Sequence, residues 1–468
     1  MCFSTSASVR CFLILILMSA AFASTCALVG GGLIYARVVA DTVGPGTTRL
    51  LLLAPALCVN VAAPLLVLDP DAEPLFSAIA IANFAWWTNF KLIALAAGRG
   101  QLTQPALSAP TFLALAALPV KFADVPRDLP RVPRGDSDRT RVETKTKRAR
   151  RADTHTARDA CVGFACKLAL LSWCVSFALP YLESVSHHED STNQTGRRLN
   201  TYAKNATYAV ALYACLGALF DLGAALAAAA FGAPLARHFD LPFLATSFGD
   251  FWGKRWNLVA GASLRDAVYA PITEGRFFSI EKPSSTTRLS DSPPRAEQGR
   301  SGTRRDARRK SRESGAVRKS ADAPTPTTSR RVVGVFACFA VSGAMHEFVL
   351  WALEGRSSRL GTSRAIGWEW FAFFFAQAPL VSLEAAYAAR RRARREKTPE
   401  DARRKPPTLA TVFVVRAAKN GAFLAAQLAL ANALFFPPVA RNSLDARVVA
   451  DARKTLKTLG LGFVPTRP

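Results

Sequence analysis

Residues 332–353 read VVGVFACFAVSGAMHEFVLWAL. A helix needs about 20 mostly apolar residues to cross a bilayer, and this stretch is long enough, yet it carries His346 and Glu347 well inside. Eight more apolar runs can be marked out, at 11–36, 50–69, 75–97, 107–122, 160–183, 203–232, 367–389 and 409–437. The run at 107–122 is short and holds Pro110 and Pro119, so it reads equally as a re-entrant or broken segment. The run at 203–232 is long enough to tilt or to continue past the bilayer. The predicted class is an all-α polytopic membrane protein with about nine transmembrane helices, within a range of eight to ten, joined by disordered basic cytosolic loops.

Composition points the same way. Of 468 residues, 50% are AVILMFWYC, 30 are Phe, and only 20% are charged, against about 25% in a typical soluble domain. The charge is concentrated. Residues 121–159 hold 12 Lys and Arg against 7 Asp and Glu; 276–331 hold 15 against 6; 389–405 hold 9 against 3. These three stretches supply +20 of the formal +26. An ordinary soluble enzyme and a uniformly basic nucleic-acid binder are both excluded, and no nucleic-acid partner is expected.

Loops rich in Lys and Arg favour the cytosolic side. Nine spans put 123–159, 236–331 and 390–408 together there, the N-terminus in the cytosol and the C-terminus in the lumen. Segment 184–202 then faces the lumen with His187, His188 and the sequon Asn193-Gln194-Thr195; a second sequon at Asn205 stands too close to the next span for ready glycosylation. The basic loops are rich in Ser, Thr, Pro and Arg and poor in aromatics. They cannot bury enough apolar surface to order themselves, and they can attract anionic head groups weakly. Met1 to Ala23 resembles a signal peptide, but apolar residues resume at Ala27, which favours an uncleaved signal anchor. Nine cysteines without a CxxC pair suggest neither a disulfide framework nor a zinc site, and no metal is expected. No GxxxxGK[ST], GxSxG or HExxH motif is present.

Polar residues inside apolar spans are costly and call for a reason. Three clusters qualify. Ser342-Gly343-Ala344-Met345-His346-Glu347 places His346 mid-span with Ser342 one turn earlier on the same face. The histidine reads either as a hydrogen-bonded packing residue or as a general base. The second cluster runs Ser247-Phe248-Gly249-Asp250-Phe251-Trp252-Gly253-Lys254-Arg255-Trp256-Asn257 and continues to Pro271. On one helix, Trp252 and Trp256 would share a face, with Gly253 and Asn257 on the adjoining one. That is either an interfacial helix with a Trp belt or a site for an anionic cofactor, with Lys254 and Arg255 on phosphates and Asn257 toward the reacting centre. The third cluster, FAWWTNFKLIALAAGRGQL at 84–102, has Asn89 and Lys91 mid-span, in packing or substrate-lining roles alike.

With these clusters in order, the chain resembles the plant wax synthases, a branch of the membrane-bound O-acyltransferases. Asp250, Phe251, Trp252, Gly253, Arg255, Trp256 and Asn257 fall in register with one family block, 342–347 with its catalytic-histidine motif, and 89–102 with its upstream signature. The likeness covers roughly residues 75–390: an acyltransferase core with disordered insertions at 123–156 and 276–330, between N-terminal spans (1–74) and a basic loop, last span and tail (391–468). Gln101 stands where Pro is expected in a GRGPL-like block, and the 276–331 insertion is longer than expected. Closure entropy makes such an insertion inexpensive.

The resemblance implies transfer of a fatty acyl group from acyl-CoA to a long-chain alcohol, giving a wax ester, with no permanently bound cofactor. It implies His346 as base and Asn257 as an orienting donor. Trp252, Lys254, Arg255 and Trp256 would bind acyl-CoA, and Ser342, Glu347, Asp250 and Asn89 would support. The partners are acyl-CoA, a long-chain alcohol and the bilayer, and the expected location is the endoplasmic reticulum. Diacylglycerol or a sterol as acceptor is equally compatible. A transporter is the rival from another class, set back by the absence of an inverted repeat.

Overall fold

A computed structural model of the chain describes residues 19–104, 107–123, 154–188, 194–232, 235–279, 327–354, 367–397 and 408–461. Eight helices among these are long and apolar enough to cross a membrane. They are α1 (Ala20–Thr42), α2 (Thr47–Val67), α3 (Pro74–Ala96), α5 (Ala157–Ser186), α6 (Gln194–Phe231), α10 (Thr328–Leu353), a span Glu369–Arg394, and α13 (Leu409–Arg441). The span at Glu369–Arg394 consists of α11 (Glu369–Phe375) followed by α12 (Gln377–Lys397). At 38 residues, α6 is about 57 Å long at 1.5 Å per residue, so its polar first turns extend beyond the apolar layer.

The run at 107–122 is the exception. It forms α4 (Ala109–Ala117), nine residues capped by Ser108, too short to cross. The chain then stops being helical at Leu118, and six consecutive carbonyls are held by side chains. Lys91 Nζ donates to Leu115 O (2.6 Å) and to Leu118 O. Thr88 donates to Ala116 O (3.1 Å), Asn83 to Ala117 O (2.7 Å) and Gln101 to Val120 O (2.8 Å). His238 meets Pro119 O. In an apolar layer such carbonyls have no water to turn to. Lys91 Nζ thus sits at the C-terminal end of α4, where the orphan carbonyls need donors.

Because α4 does not cross, the loops sort into two sets. Gly46 N donates to Ala96 O, Arg99 pairs with Glu274 (2.8 Å), Gln101 Oε1 accepts from Phe122 N (3.2 Å), and β1 (Thr154–His155) pairs antiparallel with β2 (Leu235–Ala236). These loops lie on the face from which the chain leaves the described residues at 123, 279 and 397, where the three basic stretches begin or continue, and the positive-inside rule assigns that face to the cytosol. On the other face Ser19 donates to Glu73 (2.7 Å) and Arg441 pairs with Glu369. Ser19 therefore lies opposite the basic loops, and α1 runs toward them, the reverse of the nine-span expectation. The N-terminal signal-like residues before 19 and most of both insertions lie outside the described residues.

Helix α14 (Leu444–Thr458) lies across that second face. Its Asp451 accepts from Leu75 N (3.1 Å), Arg447 donates to Leu353 O (3.3 Å), Arg453 to Val175 O (3.2 Å), and Asp445 accepts from Tyr208 (3.2 Å). Helices α5 and α6 carry a partly buried ion pair, Lys167–Asp221, in space left by Gly163 and Gly217, where a Cβ would collide with it. Asn205 Nδ2 donates to Asn432 (2.7 Å), so this sequon asparagine is engaged within the bundle.

Candidate functional site

Helix α10 continues unbroken through the SGAMHE segment. One turn separates Ser342 from His346, and Nδ1 of the imidazole lies 2.7 Å from Ser342 O. A carbonyl oxygen can only accept, so Nδ1 carries the proton. The neutral ring then presents an unprotonated Nε2.

The ring sits in an aromatic cage. Phe374 stacks on it at 3.8 Å, Trp86 meets it edge-on at 4.9 Å, and Trp370 at 6.1 Å. The cage is anchored by the next residue along α10. Glu347, 5% exposed, accepts from Phe371 N (3.0 Å) in the first turn of α11, the helix that carries Trp370 and Phe374. A carboxylate there satisfies an orphan N–H and suits the dipole. Gly343 lets the two helices close: a Cβ would lie 2.9 Å from Phe371 Cα. Trp370 Nε1 donates to Phe435 O (2.7 Å), tying the cage to α13.

The 247–257 block is not one helix. Helix α7 (Phe248–Lys254) ends, and α8 (Leu258–Leu264) begins after Asn257. Asn257 has φ 44° and caps α8, its Oδ1 accepting from Ala260 N (3.3 Å). Asparagine tolerates the left-handed region and serves as an N-cap. The single-helix faces expected for Trp252, Trp256, Gly253 and Asn257 therefore do not form. Ala260, one turn on, packs in the cluster of Trp86, Trp87 and Phe220 that also receives Met345. Asn257 thus sits one turn from the packing that surrounds His346, with its amide Nδ2 as the donor end left over.

Trp252 reaches the cage directly, edge-on to Phe374 at 5.8 Å, with Nε1 donating to the fully buried Gln377 (3.0 Å). Trp256 stacks on Phe251 at 5.3 Å. Arg255 is committed internally, donating to Asp250 (2.8 Å) and to Asp240 O (3.0 Å). Asp250 also accepts from Thr246 N (3.2 Å), so it organises the turn into α7. Lys254 is exposed at the end of α7. Glu384 accepts from Phe248 N (3.0 Å) and Gly249 N (2.7 Å), docking α7 on α12.

Asn89 is engaged away from these groups. Its Oδ1 accepts from Asn60 (2.8 Å) and its Nδ2 donates to Leu57 O (3.2 Å), clamping α2 to α3. A cleft lined by Phe90, Gln101, Lys121, Ser263 and Asp266 opens on the cytosolic face, and Phe90 stands edge-on to Trp86 at 6.4 Å.

Sequence reasoning missed Trp86, Trp370, Phe374 and Gln377. Six aromatics among residues 368–375 were the visible signal for the cage helix. Trp86 lay inside a block already singled out, behind the more conspicuous Asn89 and Lys91.

No family model matches the chain. Curated relatives do. An acyl-CoA–sterol O-acyltransferase of Arabidopsis thaliana is 29% identical over 57% of this chain and 66% of its own length. A long-chain-alcohol O-fatty-acyltransferase of Simmondsia chinensis is 28% identical over 48% of this chain and 54% of its own length. A probable long-chain-alcohol O-fatty-acyltransferase of Arabidopsis thaliana is 24% identical over 89% of each. The chain thus spans less than two thirds of the length of the first two.

Proposed function

We propose that this chain, which belongs to the wax-synthase branch of the membrane-bound O-acyltransferases, transfers a fatty acyl group from acyl-CoA to a long-chain alcohol. The observation that carries the reading is His346, with Nδ1 engaged by Ser342 O and Nε2 left as an acceptor inside an aromatic cage.

An alcohol is a weak nucleophile, and a base on its hydroxyl typically contributes 10²–10⁴-fold, of order. Nε2 of His346 takes the hydroxyl proton as the alcohol oxygen attacks the thioester carbonyl carbon. The C–S bond then breaks, and the CoA sulfur leaves with the proton from the imidazolium. Aromatic walls exclude water, which would otherwise compete for the acyl group. Asn257 orients the reacting groups through its amide. Lys254 meets the donor's phosphates at the cytosolic surface, with Trp252, Arg255 and Trp256 framing that approach. Ser342, Glu347 and Asp250 support by position, and Asn89 by holding α2 on α3. The protein is an integral membrane protein, and the endoplasmic reticulum is its proposed location.

A sterol acceptor is the second reading, favoured by the relative named as a sterol acyltransferase. The test is acyl transfer in membranes from cells lacking neutral-lipid synthesis, with labelled acyl-CoA and hexadecanol, sterol or diacylglycerol in parallel. Labelled wax ester is expected, with His346→Ala reducing it at least about 100-fold at unchanged protein level. Label in sterol ester would move the acceptor and keep the base. Wild-type rates from the His346→Ala protein would sink the assignment of the base.

A further inference from the structure

Among the described residues, two buried indole N–H groups have no partner. Trp86 and Trp87 are each 6% exposed, and Nε1 of each is buried without a hydrogen bond. Buried polar groups are nearly always paired, so an exception in a reaction chamber calls for an explanation. The two residues sit on a π-helical turn, Ile81–Thr88, within α3. Such turns interrupt α-helices mostly at functional sites. Adjacent side chains diverge by about 100° on an α-helix, yet here both rings turn inward and stack at 6.0 Å and 25°.

The two differ in what they face. Trp86 meets the His346 ring at 4.9 Å. Trp87 meets Phe220 at 5.1 Å, on the far side of the pair. Trp86 also backs the inner wall of the cytosolic cleft through Phe90.

We propose that the Trp86 indole N–H is a catalytic hydrogen-bond donor to the thioester carbonyl oxygen, stabilising the oxyanion that forms at His346. This rests on His346 being the base. As the alcohol oxygen bonds to the carbonyl carbon, the C=O π pair moves onto oxygen, and the N–H donates to it. When the tetrahedral centre collapses, that pair re-forms the carbonyl and the C–S bond breaks. A donor that is fixed, dry and unspent before reaction needs no reorganisation during it. Asn257 Oδ1 accepts from Ala260 N, which leaves its Nδ2 able to act as a second donor beside Trp86.

The test uses the full chain in membranes. Trp86→Phe keeps a ring against His346 and deletes the N–H; Trp87→Phe is the matched control. For Trp86→Phe, kcat should fall about 100-fold or more, with KM for acyl-CoA and alcohol within about threefold. Trp87→Phe should stay within about threefold of wild type. Replacing Trp86 with benzothienylalanine, which exchanges N–H for sulfur at nearly constant shape, should repeat the loss and covers the case in which Phe packs poorly. Equal losses in both Phe variants, or a change confined to KM for the alcohol, would overturn the proposal. So would full activity with benzothienylalanine. His346→Ala is run alongside: if it retains activity, the reading of the base fails, whatever Trp86 does.

Discussion

At the end of α4, six consecutive carbonyls from Leu115 to Val120 are each taken by a side chain. Around His346, the Trp86 N–H and one oxygen of Glu347 are buried with no partner. Both places are polar islands in an apolar bundle. An unmade hydrogen bond of this kind costs about 1–3 kcal/mol; at the first island every one of the six carbonyls is met, and Asn83 Oδ1 is left buried without a partner, whereas at the second the groups facing the ring itself are left unmet. On the function proposed above, the contrast separates polarity that builds the structure from polarity kept ready for a substrate. Lys91 stands on the structural side of it. The sequence left open whether it lines substrate; its stem borders the cleft beside Phe90, and its Nζ is spent on Leu115 O and Leu118 O at a helix end.

Substitutions can break this contrast or sharpen it. The largest effect on the structural island is expected from Lys91→Met, which keeps the stem, strands Leu115 O and leaves Leu118 O with the Val120 N–H alone. The loss should be about 3 kcal/mol or more, read as lower thermal stability in detergent, with rate per folded molecule nearly unchanged. A drop in rate at full stability would move Lys91 to the functional island. Glu347 tests the boundary between the two. Glu347→Ala should lower kcat at least about tenfold by releasing the first turn of α11, since small displacements of a positioned group are expensive. Glu347→Gln keeps an acceptor for Phe371 N and should stay within about threefold. Equal losses would show that the charge matters, not the cap.

The smallest effect belongs to the cytosolic loops. Arg99 donates two hydrogen bonds to Glu274 (2.9 and 2.8 Å) and holds its carboxyl below the usual carboxylate range. A lowered folded value means stability that is present above the unfolded pKa, near ~4.3, and is lost as pH falls through the folded value. The pair is partly exposed, so Glu274→Gln should cost under about 1 kcal/mol, a difference that narrows in unfolding scans run at acidic pH. A cost of several kcal/mol would mean that this loop clamp belongs with the buried islands.

Hydropathy located every crossing helix because an apolar run of this length has few alternatives in a membrane. It could not decide the fate of 107–122. A mostly apolar run of sixteen residues fits a short span as well as a broken helix, and the deciding donors, Asn83, Thr88, Lys91 and His238, come from elsewhere in the chain. Gln101 shows the same limit. It read as a departure from an expected Pro, yet it clamps Val120 O and Phe122 N. His346 was legible because an ionisable group on an apolar helix stands out. Trp86 was not, since a Trp in an apolar run reads as core until its N–H proves to be unpaired. Arg255 looked like a phosphate ligand, but five identical donors do not reveal that Asp250 and Asp240 O claim them.

Helix α14 pins the ends or interiors of α3, α5, α6 and α10 by four separate side chains. Translation delivers it after every span it touches. Until then that face lacks these four ties, while contacts such as Ser19–Glu73 and Lys167–Asp221 can already hold neighbouring spans together. Residues 444–458 therefore join four spans through contacts that can form only after all four have been made.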